Sequence, residues 1–337
     1  MDKIAIIGTG LIGTSIGLAI KKIGIKNVII VGSDLESRRA NKAKKMGAVD
    51  KVEKSLVEAV SEASIVFITT PITAIKDVME IIGPRLEEGA IVTDTGGTKK
   101  NVLAWADTYL PKHVDFIGGH PLAGKETAGP DHADVSMFKD RPYCIVPRSG
   151  SSNEGVKTVV DLATGIGSKP YFINAEEHDS FVAAVSHLPF ILSTTLIGAT
   201  SKSPQWGDIS HLASSGFRDV SRLASGDSIM HRDVCITNKE GIIYWINELI
   251  VELERVKDTI RNDDVGDQLY DLFEKAFEER EKWLGGVTTP WARAEYERPR
   301  TPSFSHVTTE LMFGSRAARG IFGDDEKTDK GKLRGDI

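Results

Sequence analysis

The feature that most constrains this chain is a glycine pattern close to its start. The apolar run Lys3–Gly8 leads directly into the G-x-G-x-x-G pattern of residues 8–13, and apolar residues at helical spacing follow over Leu11–Ile23. In such a strand–loop–helix, the first glycine permits a tight turn, the second lets a pyrophosphate approach the backbone, and the third lets helix and strand pack closely. The predicted cofactor-binding residues of this dinucleotide loop are Gly8, Gly10, Leu11, Ile12 and Gly13.

An acidic residue at the expected distance supports this prediction. Asp34 ends the next predicted strand, about twenty residues after the glycine loop. A carboxylate there accepts hydrogen bonds from the adenosine ribose and repels a 2′-phosphate, which favours NAD. Three residues close by leave NADP possible: Ser33, Arg38 and Arg39. Thr70 and Pro71 follow a third predicted strand at its carboxyl end, where ligands bind in such sheets, and complete the predicted cofactor site.

The first half of the chain alternates short apolar runs with helical stretches. The predicted strands are Lys3–Gly8, Val28–Gly32, Ile65–Thr69, Ala90–Asp94, Asp115–Gly118, Pro142–Val146 and Lys169–Asn174. Strands that alternate with helices predict a mostly parallel sheet with right-handed crossovers. The expected fold class is therefore α/β, with an N-terminal Rossmann-type dinucleotide-binding domain at residues 1–174.

After Ala175 convincing strands disappear, and the apolar spacing becomes helical. The predicted helices are Val182–Thr200, Ile209–Ala224, Ile229–Asp258 and Val265–Trp283. We therefore expect a second, all-helical C-terminal domain at residues 175–285. Residues 286–337 are polar, contain prolines and end in a run of charges, which predicts a disordered tail.

Composition narrows the possible partners. The net charge is -6 and no basic stripe is present, so nothing in the sequence indicates nucleic-acid binding. The only cysteines, Cys144 and Cys235, cannot form a disulfide framework or a paired-cysteine zinc site. No apolar run looks long enough to span a bilayer, and the chain enters a strand without a leader. We expect a cytoplasmic protein with a small-molecule substrate, no metal and no membrane partner.

A histidine between glycines is the first candidate for the chemistry. The segment Gly118–Glu126 follows a predicted strand on the ligand-binding side of the sheet. Within it, His120 is held by the following Pro121. An imidazole in this position is a candidate proton acceptor for an alcohol that is being oxidised.

The helical half supplies a second group of polar residues. It contains His178-Asp179, Ser186-His187-Leu188-Pro189, Phe217-Arg218-Asp219 and Arg222. Arg218 and Arg222 are four residues apart, which would place them on one helix face, where two guanidinium groups can clamp a carboxylate. A solvated basic face is the alternative interpretation of that spacing.

Taken together, these segments resemble the prephenate/arogenate dehydrogenase family of tyrosine biosynthesis, from Lys3 to about Trp283. The most specific parts are Gly8–Gly13, Asp94–Lys99, Gly119–Glu126, Glu177–Asp179 with Ser186–Pro189, and Ser215–Arg222. The resemblance implies an NAD-dependent oxidative decarboxylation of prephenate to 4-hydroxyphenylpyruvate. It leaves arogenate, which would give tyrosine directly, as the alternative substrate. It also implies a homodimer formed through the helical domain.

The resemblance further implies roles for individual residues. His120 would be the catalytic histidine, hydrogen-bonded to the C4 hydroxyl of the substrate ring. Arg222 would bind a substrate carboxylate, and Glu126 would lie near this arginine at the mouth of the site. Asp219 would help to position that region, and His187 would support the substrate site.

Three positions depart from the family pattern. Gly97 stands where a serine is common, so either Thr98 supplies that hydroxyl to the substrate or the contact is absent. Phe190 stands where many members have a second histidine near the substrate side chain, which leaves the choice between a keto and an amino side chain open. His231 stands where a tryptophan is common, a change that bears on product feedback.

Two other functions compete with this interpretation. A β-hydroxyacid dehydrogenase has the same two-domain plan but needs a lysine-centred site, for which Lys239 and Lys257 are candidates. Both fit better as surface positions on amphipathic helices. A catalytically silent NAD-binding sensor is the second alternative, and the combination of His120, Arg222 and Glu126 argues against it.

Overall fold

The computed structural model describes residues 2–125, 127–262 and 265–286. The described residues fall into two compact units, which divide between Leu253 and Glu254. The first unit holds the sheet, and its change from strands to helices falls between Phe172 and Ala175. The domain division proposed at residue 174 stays a prediction, and the predicted tail lies outside the described residues from residue 287 onward.

One sheet forms the centre of the first unit. In the described residues it has eight strands in the order β3-β2-β1-β4-β5-β6-β7-β8, and the β6–β7 pair is antiparallel whereas the others are parallel. The strands are β1 (Asp2–Ile7), β2 (Val28–Ser33), β3 (Lys51–Val52), β4 (Ile65–Ile68), β5 (Ile91–Asp94), β6 (Asp115–Pro121), β7 (Pro142–Pro147) and β8 (Lys169–Phe172). All seven predicted strands are present, and β3 went unpredicted because two residues carry no periodicity.

The helices of the described residues follow in chain order. They are α1 (Leu11–Ile23), α2 (Ser37–Lys45), α3 (Leu56–Val60), α4 (Ile72–Ile82), α5 (Lys100–Tyr109), α6 (Asn153–Gly165), α7 (Ala175–Val182), α8 (Leu188–Thr200), α9 (Trp206–His211), α10 (Ser215–Ser221), α11 (Ser228–Thr237), α12 (Lys239–Arg261) and α13 (Gly266–Leu284). A π-helical turn, Ala183–His187, joins α7 to α8. Such turns occur frequently at functional sites.

Two of the predicted helices are wrong as continuous elements. The predicted helix Ile229–Asp258 is interrupted at Asn238, which lies outside both α11 and α12 and whose side chain donates to the carbonyl of Asp179. The predicted helix Ile209–Ala224 is two short helices, because the chain becomes extended at Ser214. Periodicity alone missed both breaks because apolar residues continue at helical spacing across them.

The strand order predicts a ligand crevice at the carboxyl ends of the central strands. The chain moves outward from β1 through β2 to β3 and then returns to β4 on the other side of β1. In open parallel sheets, ligands bind outside the carboxyl ends of the strands at such a reversal. Gly8 follows β1 there, and Thr69 follows β4 with its amide donating to the carbonyl of Ile7 at 2.8 Å.

Among the residues that the structure describes, one helical stretch, Ala175–Thr200, is long and apolar enough by length and composition to cross a membrane. The prediction that no apolar run has this length is therefore wrong. Composition does not distinguish a membrane span from a core helix, but the contacts of this stretch do bear on the question. It carries the buried polar residues His178, Asp179 and His187, and the Asp179 carboxylate accepts the amide of Lys99. The stretch is thus tied into the fold by polar contacts near the sheet.

Candidate active site

The glycine loop is shaped for close contact with a ligand. Gly8 has φ +97°, and a Cβ there would lie 2.7 Å from the carbonyl oxygen of Thr69. A Cβ on Gly13 would lie 2.0 Å from the carbonyl oxygen of Gly8, so neither position tolerates a side chain. A Cβ on Gly10, in contrast, would meet nothing within 4 Å. The open space beside Gly10 is where the sequence places a pyrophosphate.

Helix α1 begins at this open space. Its N-cap, Gly10, provides no side-chain cap, and the first-turn residues Leu11 and Ile12 are partly exposed. The first amide groups of a helix have no partner within the helix, and they carry a partial positive charge that favours phosphate. Loop and helix together therefore fit the phosphates of a dinucleotide.

Asp34 has a structural task beside its predicted role. Its Oδ2 accepts the amide of Thr9 at 2.7 Å and the Thr9 hydroxyl at 3.1 Å, while its Oδ1 accepts the amide of Glu36 at 2.9 Å. A carboxylate has about four acceptor sites, so one remains for a ribose hydroxyl. The residue therefore fastens the glycine loop to the end of β2 and can also meet a nucleoside.

The segment after β4 offers an unused hydrogen-bonding group. Thr70 Oγ1 is buried and has no hydrogen-bond partner among the described residues. Pro71 is exposed and forms the N-cap of α4. A buried hydroxyl without a partner costs about 1–3 kcal/mol, which a polar group of a bound nucleotide can recover. This position, at the carboxyl end of β4, fits the predicted cofactor site.

The sequence predicted that His120 follows a strand, but in the structure His120 lies within one. Strand β6 continues to Pro121 because its last residues pair with β7, with His120 opposite Cys144 and Gly119 opposite Ile145. The backbone of His120 is thereby held in the sheet, while the residue as a whole stays partly exposed. A base held in a strand has a better defined position than one in a loop.

Two residues of α7 form a hydrogen-bonded chain behind His120. His120 Nδ1 lies 2.9 Å from His178 Nε2, and His178 Nδ1 lies 2.8 Å from Asp179 Oδ1. The same Asp179 carboxylate accepts the amides of Lys99 and Lys100 at 2.7 and 2.9 Å. His178 is completely buried. This chain links the partly exposed His120 of β6 to the Asp179 carboxylate of α7, which in turn holds the first amides of α5.

A buried ion pair lies beside this chain. The ammonium group of Lys99 pairs with Asp94 and also donates to the carbonyl of Gly119 at 2.7 Å, and both charged side chains are 0% exposed. Asp94 Oδ2 accepts the amide of Gly96 at 2.7 Å, and its Oδ1 accepts the amide of Gly119 at 3.2 Å. These contacts join the end of β5 to β6 next to His120.

The surroundings of His120 keep its imidazole neutral. Burial lowers its pKa well below the ordinary value, and the neighbouring His178, Lys99 and His187 lower it further. At neutral pH the ring therefore carries one proton and one lone pair. A neutral imidazole of this kind can accept a proton.

His187 and Thr98, both predicted at the substrate site, are buried and hydrogen-bonded within the protein. His187 is 2% exposed, and the side-chain amide of Asn238 lies 3.2 Å from its Nδ1. Burial lowers its pKa to about 4, and a hydrogen bond to the Gly97 backbone acts in the opposite direction. Thr98 is fully buried, with its hydroxyl 2.9 Å from that of Thr237. Both side chains hold the loop after β5 against the helices.

The arginine segment also differs from expectation. Helix α10 ends at Ser221, and a 3₁₀ turn begins with Arg222, so Arg218 and Arg222 do not share one continuous α-helical face. Both arginines are exposed, as is Asp219 on α10. Glu126 lies outside the described residues.

Phe190 and His231, two of the residues that depart from the family pattern, contact each other. The rings of Phe190 and His231 stack with centroids 4.2 Å apart and planes within 8°. Phe190 also lies 6.2 Å, centroid to centroid, from the ring of His187. The two positions are therefore not independent of each other.

Sequence reasoning missed several residues that the site uses. Asp94, Lys99, His178 and Asp179 were recognised as parts of motifs but received no individual role. A signal was available, because an aspartate that ends a buried strand and is followed five residues later by a lysine must find a partner for its charge.

Two family models match consecutive parts of the chain. A family model described as "Prephenate dehydrogenase, nucleotide-binding domain" matches residues 16–172, and one described as "Prephenate dehydrogenase, dimerization domain" matches residues 174–275. Prephenate dehydrogenase of Bacillus subtilis is 32% identical over 83% of this chain and 76% of its own length. Cyclohexadienyl dehydrogenase of Zymomonas mobilis is 30% identical over 81% and 93%.

A solved structure has the same fold. Prephenate dehydrogenase from A. aeolicus, in complex with hydroxyphenyl propionate and NAD+, superimposes with a TM-score of 0.77 at 25% identity. The match covers 83% of this chain and 98% of that one.

Proposed function

The chain belongs to the prephenate dehydrogenase family, and we propose that it oxidises and decarboxylates prephenate to 4-hydroxyphenylpyruvate with NAD+. The observation that carries the proposal is the placement of His120. This partly exposed residue, with its neutral imidazole, lies at the carboxyl end of β6, on the edge of the sheet where the glycine loop opens. A proton acceptor next to a dinucleotide crevice is the arrangement that oxidation of an alcohol requires.

The chemistry assigns a task to each group. Bound NAD+ supplies a hydride acceptor for C4 of the substrate ring. His120 takes the proton of the C4 hydroxyl as C4 is oxidised. The C1 carboxylate then leaves as CO₂, and the electrons of its bond to the ring complete the aromatic system. In this proposal Arg222 binds a substrate carboxylate, and Asp219 and Glu126 belong to the same region of the site.

The lysine residues argue against the β-hydroxyacid dehydrogenase alternative. Lys239 is exposed at the start of α12, and Lys257 is an exposed residue paired with Glu254. Lys99 is near His120, but its ammonium group is fully buried and bound by protein oxygens, which keeps it from a substrate.

Arogenate is the second candidate substrate. The observation that favours it is Phe190, a residue that cannot donate a hydrogen bond to a keto group of the substrate side chain. Steady-state kinetics with prephenate and arogenate, each with NAD+ and NADP+, decides between the two. We expect the highest kcat/KM for prephenate with NAD+, and no turnover in any combination would contradict the proposed function.

Replacement of Gly10 by alanine separates cofactor binding from folding. Gly10 has φ -71°, which alanine adopts without strain, and the added Cβ meets no protein atom within 4 Å. Because that space is assigned to the pyrophosphate, Gly10→Ala should raise the Kd for NAD+ by about tenfold or more, an energy of about 1.4 kcal/mol. The melting temperature without cofactor should stay unchanged.

Gly13→Ala is the matched control, because its Cβ would lie 2.0 Å from the Gly8 carbonyl. This variant should lose stability and cofactor affinity together. Isothermal titration and thermal melting measure both quantities. Wild-type affinity for NAD+ in Gly10→Ala would contradict the placement of the cofactor.

We also propose that the protein is a homodimer in the cytoplasm. The second matching family model is described as a dimerization domain. Helix α12 exposes a stripe of apolar residues that recur every seven positions. Ile243 and Ile250 form one such pair, and Tyr244 and Val251 form the neighbouring pair. Large exposed apolar surfaces of this kind mark protein interfaces.

Substitution in this stripe should weaken the dimer. Ile250→Glu places a charge on a residue that is 50% exposed in the single chain and buried in the proposed dimer. We expect light scattering to give a dimer for the wild type and a shift towards monomer for Ile250→Glu. Lys22→Glu, on the exposed end of α1, is the control and should stay dimeric. A monomeric wild type would refute the proposal.

A further inference from the structure

The hydrogen-bonded chain behind His120 has a direction, which is set at Asp179. A carboxylate only accepts hydrogen bonds, and this one accepts two backbone amides, those of Lys99 and Lys100. Asp179 Oδ1 lies 2.8 Å from His178 Nδ1. The proton in that contact therefore belongs to His178 Nδ1.

The proton position of His178 then determines which nitrogen of His120 carries a proton. A neutral imidazole with its proton on Nδ1 has a lone pair on Nε2, and His178 Nε2 lies 2.9 Å from His120 Nδ1. His120 must therefore carry its proton on Nδ1 and donate it to His178. This leaves the lone pair of His120 on Nε2.

The opposite tautomers would leave an acceptor facing an acceptor. If His178 carried its proton on Nε2, its Nδ1 lone pair would face the Asp179 carboxylate at 2.8 Å in a completely buried place. A buried polar group without its partner costs about 1–3 kcal/mol, and more for charged groups. The chain therefore selects one arrangement of protons.

The Nε2 side of His120 faces position 97. A Cβ built on Gly97 would lie 3.9 Å from His120 Nε2, so the residue at 97 is next to this nitrogen but contributes no side chain. With nothing from position 97 to orient the ring from that side, its orientation depends on the contact at Nδ1.

We infer that His178 and Asp179 are positioning residues, which hold His120 in the tautomer whose Nε2 accepts the substrate proton. The inference rests on the proposed function for its catalytic meaning. Neither residue touches the substrate in this account, since His178 stands between His120 and Asp179. The same contacts stabilise the imidazolium formed when Nε2 takes the proton, because its Nδ1–H already points to an acceptor that is linked to a carboxylate.

The charged groups around His120 set how readily it gains a proton. Lys99 faces it from the loop before α5, with Asp94 at the end of β5 as its counter-ion, and His187 faces it from the π-helical turn. Burial lowers the pKa of His120, and His178, Lys99 and His187 lower it further, which keeps the ring neutral before reaction. These effects oppose protonation of His120. The negative charge of Asp179, at the other end of the hydrogen-bonded chain, compensates for them.

Two substitutions of His178 test the role. His178→Leu removes the acceptor for His120 Nδ1–H, and we expect kcat to fall by about 10²–10⁴-fold with KM within a few-fold of the wild type. His178→Gln can accept from His120 through its carbonyl and donate to Asp179 through its amide, so it should recover about tenfold or more of the loss. His113→Leu, an exposed histidine on the loop before β6, is the control and should keep wild-type kcat.

Nitrogen NMR of labelled histidine provides a readout that needs no substrate. In the wild-type protein at neutral pH, His120 should show a protonated Nδ1 and an unprotonated Nε2, and His178→Leu should lose this preference. A protonated Nε2 in the wild type, or wild-type kcat in a folded His178→Leu, would overturn the inference. If His178→Leu does not fold, the wild-type spectrum and the Gln variant still decide. The expected spectrum without turnover of prephenate would instead contradict the proposed function alone.

Discussion

His120→Gln is expected to lower kcat/KM for prephenate by about 10²–10⁴-fold, the usual contribution of a positioned general base. Glutamine is close to histidine in size and can still hydrogen-bond to His178 through its amide. It has no basic nitrogen, so the C4 hydroxyl must lose its proton to water. Steady-state kinetics measures the loss, which should appear mainly in kcat.

The control for this variant is cofactor binding. Because His120 lies on β6 and the glycine loop follows β1, the Kd for NAD+ should stay within a few-fold of the wild type. Unchanged turnover in His120→Gln would remove His120 from the chemistry. Turnover and cofactor affinity that fall together would indicate damage to the fold.

Lys99→Met is expected to destabilise the protein by about 3–5 kcal/mol, the range for removing one partner of a buried ion pair. Both Lys99 and Asp94 are 0% exposed, so the remaining carboxylate would be buried without its counter-ion. The Lys99 ammonium also satisfies the carbonyl of Gly119, which would lose a partner. Denaturant titration gives the free energy of unfolding, provided that the unfolding is two-state.

A double variant identifies the cause of that loss. Asp94→Asn added to Lys99→Met removes the isolated charge and keeps one side-chain oxygen, which can accept the amide of Gly96 or that of Gly119 but not both. We expect the double variant to be more stable than Lys99→Met alone, a coupling that isolates the charge. Lys100→Met, at the exposed neighbouring lysine, should change stability by less than about 0.5 kcal/mol. Equal stability of the single and double variants would show that the buried charge is not the cause.

The parts of the fold that local patterns determine were predictable. The run before Gly8, the glycine spacing and Asp34 all follow from chemistry within one strand–loop–helix unit. Helix α1 was predicted with its observed bounds, Leu11–Ile23, because its apolar spacing is regular and a glycine follows it. Strand β6 was predicted too short because its last residues are held by pairing with β7, a contact that periodicity does not contain.

The site depends on contacts between distant parts of the chain, and these were not predictable. His120 and His178 are 58 residues apart, and Lys99 and Asp179 are 80 residues apart. Each residue alone fits many roles, and only their proximity gives the chain of hydrogen bonds its direction. The break at Asn238 has the same origin, because its side chain bonds to Asp179 from 59 residues away.

The proposed reaction is tested most directly by the balance of products when the purified protein is mixed with prephenate and NAD+. We expect equal amounts of NADH, CO₂ and 4-hydroxyphenylpyruvate, formed at a rate that His120→Gln abolishes almost completely. No NADH, or NADH formed without CO₂, would contradict it.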